Sequence, residues 1–197
     1  RITIGNNTIR TLITEFSIST NNNSVFDNST AGTYSSFTFN GMQLNGGTFL
    51  NRYEEGTWTP AYVPTTGAFT TVTYFRQSGK YVVIGNMVTV QCLMSTDVVT
   101  LGTAGGNLKI TGLPFIMDFA SGAGVADSIA SCRAVSYASG SVQPNQVSLQ
   151  SNTQFVIPQI INSGAAPTNI VAGDLLTGTN SNVNTISFTM TYKIYTA

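Results

Sequence analysis

Chemistry in this chain of 197 residues would have to begin at Tyr53-Glu54-Glu55-Gly56-Thr57-Trp58, which holds two adjacent carboxylates and the single tryptophan. Paired acids beside an aromatic ring are the ingredients of glycoside hydrolysis. Such enzymes set their two carboxyl groups face to face across the scissile bond, ~5–9 Å apart. Neighbouring residues on an extended chain project to opposite faces, so Glu54 and Glu55 cannot address one substrate. We therefore assign no catalytic residue, and expect the acids to be structural, with Arg52 or Arg76 as ion-pair partners. Trp58 stands between Thr57 and Thr59, with Pro60 next. That alternation turns the indole inward and the threonines outward. A core or subunit-interface tryptophan is expected in place of a sugar-stacking platform. Tyr53, Glu54, Glu55 and Trp58 together read as a structural junction.

Other reactive constellations are missing. The chain has no histidine, which removes the commonest general base and metal ligand, and with them Ser-His-Asp, Cys-His and His-containing zinc sites. Cys92 continues the alternation Val88, Val90, Cys92, Met94 and reads as a buried free thiol; Cys132 is too distant in sequence to imply a disulfide. Asp97, Asp118, Asp127 and Asp174 have no ligand spacing, and the Asn-rich stretch from Thr20 to Asn28 reads as a solvated turn. Gly102-Thr103-Ala104-Gly105-Gly106 lacks the lysine and helix of a phosphate loop. No metal and no cofactor are expected. Lys and Arg total 8 against 8 acids and are scattered, so no nucleic-acid surface is expected. No apolar run approaches the ~20 residues of a membrane span, so no membrane insertion is expected.

The elements that position these residues are strands. Hydrophobic residues make up 42% of the chain, an ordinary globular share, while charged residues are only 8%, so Thr, Ser, Asn, Gln and Gly must cover the surface. Ile186, Phe188, Met190, Tyr192 and Ile194 alternate with polar residues, the pattern of a half-buried strand. Tyr81–Ile84, Gly85-Asn86 and Met87–Met94 form a hairpin signal with a tight turn. Leu108–Phe115, Val147–Gln150 and Gln154–Ile161 are further strands, with Pro114 and Pro158 ending or interrupting two of them. The Ala/Gly/Ser stretch from Phe119 to Cys132 has room for a short helical turn at most. Many strands at short spacing predict an all-β fold, a β-sandwich or barrel. Residues 1–50 carry shorter apolar strips between Asn runs and Gly46-Gly47. Such strips gain most by stacking on copies of themselves, which predicts a β-rich shaft or collar before a β-sandwich head at 51–197. The chain begins at Arg1, and we expect it to be part of a longer polypeptide.

Tyr53-Glu54-Glu55-Gly56-Thr57-Trp58-Thr59-Pro60 resembles the signature that opens a C-terminal module of many phage tail fibre and tailspike proteins. Three further stretches match that module in order. Gln77-Ser78-Gly79-Lys80-Tyr81 with Ile84-Gly85-Asn86-Met87-Val88 resembles its hairpin. Ile110-Thr111-Gly112-Leu113-Pro114-Phe115 resembles its ITGLPF strand, and Ile186–Tyr195 stands where its final aromatic strand falls. Asn51-Arg52 departs from the pattern, where acidic residues are common. The resemblance covers residues 47–197. It implies a jelly-roll-like head, a homotrimer, a place on the virion after assembly in the host cytoplasm, and extracellular attachment to host glycans such as lipopolysaccharide, capsule or another polysaccharide.

Binding surfaces concentrate on loops. Ile116–Ser128, Tyr137–Asn145 and Asn162–Asn184 are the candidates, with Phe119 and Tyr137 as their carbohydrate-binding aromatics. Polar, uncharged loops suit neutral glycans, read through hydrogen bonds to hydroxyls. The alternatives are a non-binding trimerisation cap on a depolymerase whose catalytic part lies upstream, and a cellular carbohydrate-binding adhesin.

Overall fold

A computed structural model describes residues 52–118, 126–138, 143–150 and 153–194. The expected shaft at residues 1–50 lies outside them. The described residues form ten strands and one 3-10 turn, Ala172–Asp174, so the all-β expectation holds. The strands are β1 (Tyr53–Trp58), β2 (Ala61–Thr66), β3 (Thr71–Ile84), β4 (Met87–Thr100), β5 (Gly105–Thr111), β6 (Ala126–Val135), β7 (Gln146–Gln150), β8 (Phe155–Ile160), β9 (Thr168–Asn169) and β10 (Gly178–Lys193). They make one antiparallel sheet in the order β1-β3-β4-β10-β6-β7-β8-β5-β2, with β9 on β8.

This order forces curvature. β1 and β2 occupy opposite ends of the sheet, yet only Thr59 and Pro60 separate them in sequence. The sheet must therefore curl until its two edges nearly meet. Strand β6 serves both halves, pairing β10 through Cys132–Val135 and β7 through Ala126–Ser131. One apolar core lies between the halves. Val88, Val90 and Met94 come from one side, Leu108, Ile110, Val147 and Val156 from the other. In β10, Ile186, Phe188, Met190, Tyr192 and Ile194 are all buried, as the alternation predicts.

The β3–β4 hairpin turns at Gly85-Asn86. Gly85 has φ 60° and Asn86 does not share that left-handed region, the pattern of a turn that follows strand twist. The turn is also stitched laterally: the Gly85 N–H donates to the Arg52 carbonyl at 2.8 Å, and Ile194 N–H to the Asn86 carbonyl at 2.9 Å. Pro64 lies on edge strand β2, where a missing N–H is tolerated. Pro158 sits inside β8, and its carbonyl still accepts the Ile170 N–H at 2.9 Å.

Two expectations change. The Ala/Gly/Ser segment is a strand from Ala126 onward, because pairing on both sides overrides its weak intrinsic pattern. β10 is longer than its alternation suggests, and its first half is irregular. Register shifts separate Thr179, Val183 and Ile186, with Asn182 and Asn184 at φ 60° and 48°.

Candidate functional site

The junction motif is an interlock. In the β1–β3 register, Trp58 faces Gly79 and Gly56 faces Tyr81. A Cβ on Gly79 would lie 2.5 Å from the indole, and one on Gly56 would lie 2.7 Å from the Tyr81 ring. Each aromatic thus fills the space left by a glycine across the strand pair. Trp58 is buried, and its indole N–H is shared between the carbonyls of Gln91 at 3.1 Å and Lys80 at 3.3 Å. The inward tryptophan expected from the alternation is what the structure contains. At the seam where the sheet edges approach, Gln77 Nε2 donates to the Pro60 carbonyl at 2.9 Å, and Tyr62 N–H donates to the Tyr74 hydroxyl at 2.7 Å.

The two glutamates separate as pleating requires. Glu54 lies on the Trp58 side. One carboxylate oxygen accepts from Arg52 at 2.7 Å and the other from the Tyr81 hydroxyl at 2.8 Å. The Arg52 bond, then the Tyr81 bond, hold its carboxyl below the usual range. Arg52 also lies over the Phe115 ring, 4.9 Å from its centroid, and Phe115 meets Tyr81 edge-on at 5.3 Å. Glu55 is exposed on the outer face of β1, as is Tyr53. Three stretches distant in sequence therefore converge on one packed junction through Glu54, Trp58, Gly79, Tyr81 and Phe115.

The aromatic ligand candidates fare differently. Phe119 lies outside the described residues. Tyr137 is only 5% exposed, which corrects its assignment as a sugar contact: a stacking ring must present a face to solvent. Its hydroxyl meets that of Tyr62 at 2.6 Å, and Tyr62 in turn donates to the Asn184 carbonyl at 2.9 Å. Asn184 is fully buried. Its Nδ2 donates to Thr96 Oγ1 at 2.8 Å and to the Leu176 carbonyl at 2.9 Å, while its Oδ1 accepts the Leu176 N–H at 2.7 Å. This network satisfies polar groups inside the core and joins β2, β4 and β10. Desolvation pushes the hydroxyl pKa of Tyr62 and Tyr137 upward, and that of Tyr74 to about 12.

Both cysteines are free thiols; Cys92 is buried and Cys132 half-buried. Burial raises both, Cys132 to about 12, so neither is a ready thiolate. Among the described residues no group of three His, Cys, Asp or Glu could hold a metal.

The outer face of β1, β3, β4 and β10 carries two shallow grooves of about 390 and 320 Å3 that share Lys80 and Gln91. The second polar surface is the one sequence reasoning half identified. Parts of two candidate loops meet beside β7, β8 and β9. Asn145 Nδ2 donates to the Ile161 carbonyl at 2.8 Å, and its Oδ1 accepts the Ile161 N–H at 2.9 Å. Gln146, Gln159 and Asn169 stand in register across the three strands. Gln146 Nε2 donates to Gln159 Oε1 at 2.7 Å, and Gln159 Nε2 to Asn169 Oδ1 at 2.8 Å. No residue from Ala134 to Gly173 is charged. That gap was the available sequence signal for this surface; the register that lines up the amides was not.

No protein-family profile matches the chain, and no curated protein sequence matches it. Among solved structures, the crystal structure of the Dettilon tailspike protein (gp208) is similar, with a TM-score of 0.41 and 13% identity over 73% of this chain. The chain spans about 24% of that protein.

Proposed function

We propose that this chain is an attachment module of a phage tail fibre or tailspike, assembled as a homotrimer that binds a host-surface polysaccharide and performs no chemistry itself. The observation that carries the reading is the interlocked junction. The ordered motifs resembling the fibre module meet at one place, where Glu54 is engaged through both oxygens and Trp58 through its ring and its N–H. The carboxylate and indole that might have served a substrate are used to close the fold. Broad polar faces remain, and these suit association. Three weak copies on one axis gain avidity without any new contact.

Light scattering on residues 1–197 tests the assembly: the expected mass is three times the 20.9 kDa chain, and a monomer overturns the fibre reading. Binding to immobilised lipopolysaccharides and capsular polysaccharides tests attachment. Retention on at least one, with its chain length unchanged after incubation, is expected. Shortening of the polysaccharide contradicts the non-enzymatic reading.

A further inference from the structure

We infer that the amide cluster Asn145, Gln146, Gln159 and Asn169 is the polysaccharide-binding site, and that its ligand is an uncharged glycan. The inference rests on the attachment reading and adds the place and the ligand class.

Gln146 and Gln159 project from the side of the sheet opposite Val147 and Val156, which point into the core. The hydrogen bonds run one way along the row. Gln146 donates to Gln159, and Gln159 donates to Asn169. Direction fixes which end of each amide faces its neighbour. It leaves the Asn169 Nδ2 donor at one end of the row and the Gln146 Oε1 acceptor at the other. Strands stand ~4.8 Å apart, so the row extends over about 10 Å, the scale of a disaccharide. Asn145 stands beside the row with both ends of its amide tied to Ile161, so the ordering entropy of these side chains is already spent before any ligand arrives.

Access narrows the contact to the outer part of the cluster. Asn145 is exposed and Gln159 and Asn169 are half-buried, whereas Gln146 is 8% exposed and Ser148, next on the same face, 1% exposed. The Asn145, Gln159 and Asn169 amides are the ones a sugar hydroxyl, which both donates and accepts, can meet, and Gln146 anchors the inner end of the row. Charge decides the ligand class. Strands β2, β7, β8 and β9 contain no charged residue, and of the cations on the flanking strands Lys109 of β5 is held over the Phe155 ring at 4.6 Å and Arg133 lies on β6, so a carboxylated or sulfated glycan would lose hydration along the row itself without a cation on the strands that carry it.

Asn169→Asp is the discriminating variant. It keeps the oxygen that accepts from Gln159, and so keeps the row. It removes the terminal donor and places a negative charge on the surface. Wild type, Asn169→Asp and Asn169→Ala are measured by surface binding to purified neutral and acidic lipopolysaccharide O-chains and capsular polysaccharides, with thermal unfolding and oligomer mass as fold controls. We expect wild type to bind at least one neutral polysaccharide, and Asn169→Asp to lose at least tenfold in affinity with unchanged mass and unfolding temperature. Equal binding by wild type and Asn169→Asp overturns the site and leaves the attachment reading standing. Wild-type binding confined to acidic polysaccharides overturns the ligand class. Binding to none of them overturns the attachment reading as well.

Discussion

The two halves of the curled sheet differ most in charge. The β1, β3, β4 and β10 half carries Glu54, Glu55, Arg76, Lys80, Asp97 and Lys193 on its strands, whereas in the other half β2, β7, β8 and β9 carry none and only β5, with Lys109, and β6, with Asp127 and Arg133, are charged. The charged half also holds the aromatic–glycine interlock and the long hairpin. The less charged half is built from mostly shorter strands and bears the amide row. One half locks the chain shut through packed aromatics and glycines; the other carries the row of hydrogen-bonded amides. Between them lies the core network of Tyr62, Tyr137, Asn184 and Thr96, which makes the two faces one cooperative body.

The largest test of that joint is alkaline pH. Burial raises the pKa of Tyr62, Tyr74, Tyr137 and Tyr192 in the folded chain. Unfolding lets them ionise near their ordinary value of ~10. The folded state therefore holds more protons above that value, and stability must fall as pH rises from about 10 through about 12. Tyr74, raised from 10.0 to about 12, alone withdraws up to about 3 kcal/mol. Circular dichroism melts across this window should show both halves lost together. Separate transitions would mean that the halves are independent.

Asn184→Ala comes next. It removes the side-chain partner of both half-buried backbone groups of Leu176 and one bond of Thr96 Oγ1, which keeps its bond to the Val183 carbonyl at 3.2 Å, and a loss of about 2 kcal/mol is expected from urea denaturation. A loss below about 1 kcal/mol would demote the network to packing. Gly79→Ala tests the lock on the charged side. Its methyl group would collide with the indole, and overpacking of this kind costs about 1–3 kcal/mol. Indole fluorescence should shift in the same variant. Smallest of all is Lys193→Gln, which removes the exposed pair with Asp118, 2.8 Å long. A change within about 1 kcal/mol is expected. A larger one would show that charge stabilises this half and does more than decorate it.

Legibility followed the same division. β10 and the hairpin were readable because large apolar residues alternate with small polar ones, and their burial follows that pattern. Glu54 and Glu55 were separable by pleating alone, and Arg52 was among the partners foreseen. The other half was harder. β6 mixes small Ala, Ser and Cys residues with Asp127, Ile129, Arg133 and Val135 and carries little periodic signal, and its pairing is set partly by β10, far away in sequence. Tyr137 looked like a loop aromatic because nothing local reveals that Tyr62 reaches its hydroxyl from β2. The amide row depends on the register of three strands, which only the folded sheet defines.

Strand β10 has a consequence for synthesis. It is the final strand of the described chain, yet it lies in the middle of the sheet, between β4 and β6. Until it emerges from the ribosome, β4 and β6 each offer an unpaired edge, and the core lacks Ile186, Phe188, Met190, Tyr192 and Ile194. The nascent head must wait, exposed to wrong pairings, for its last segment. Folding should then be slow and all-or-none, as non-local strand pairing demands. A truncation anywhere before β10 would leave β4 and β6 unpaired and the core short of five large side chains, so no partially folded head would persist.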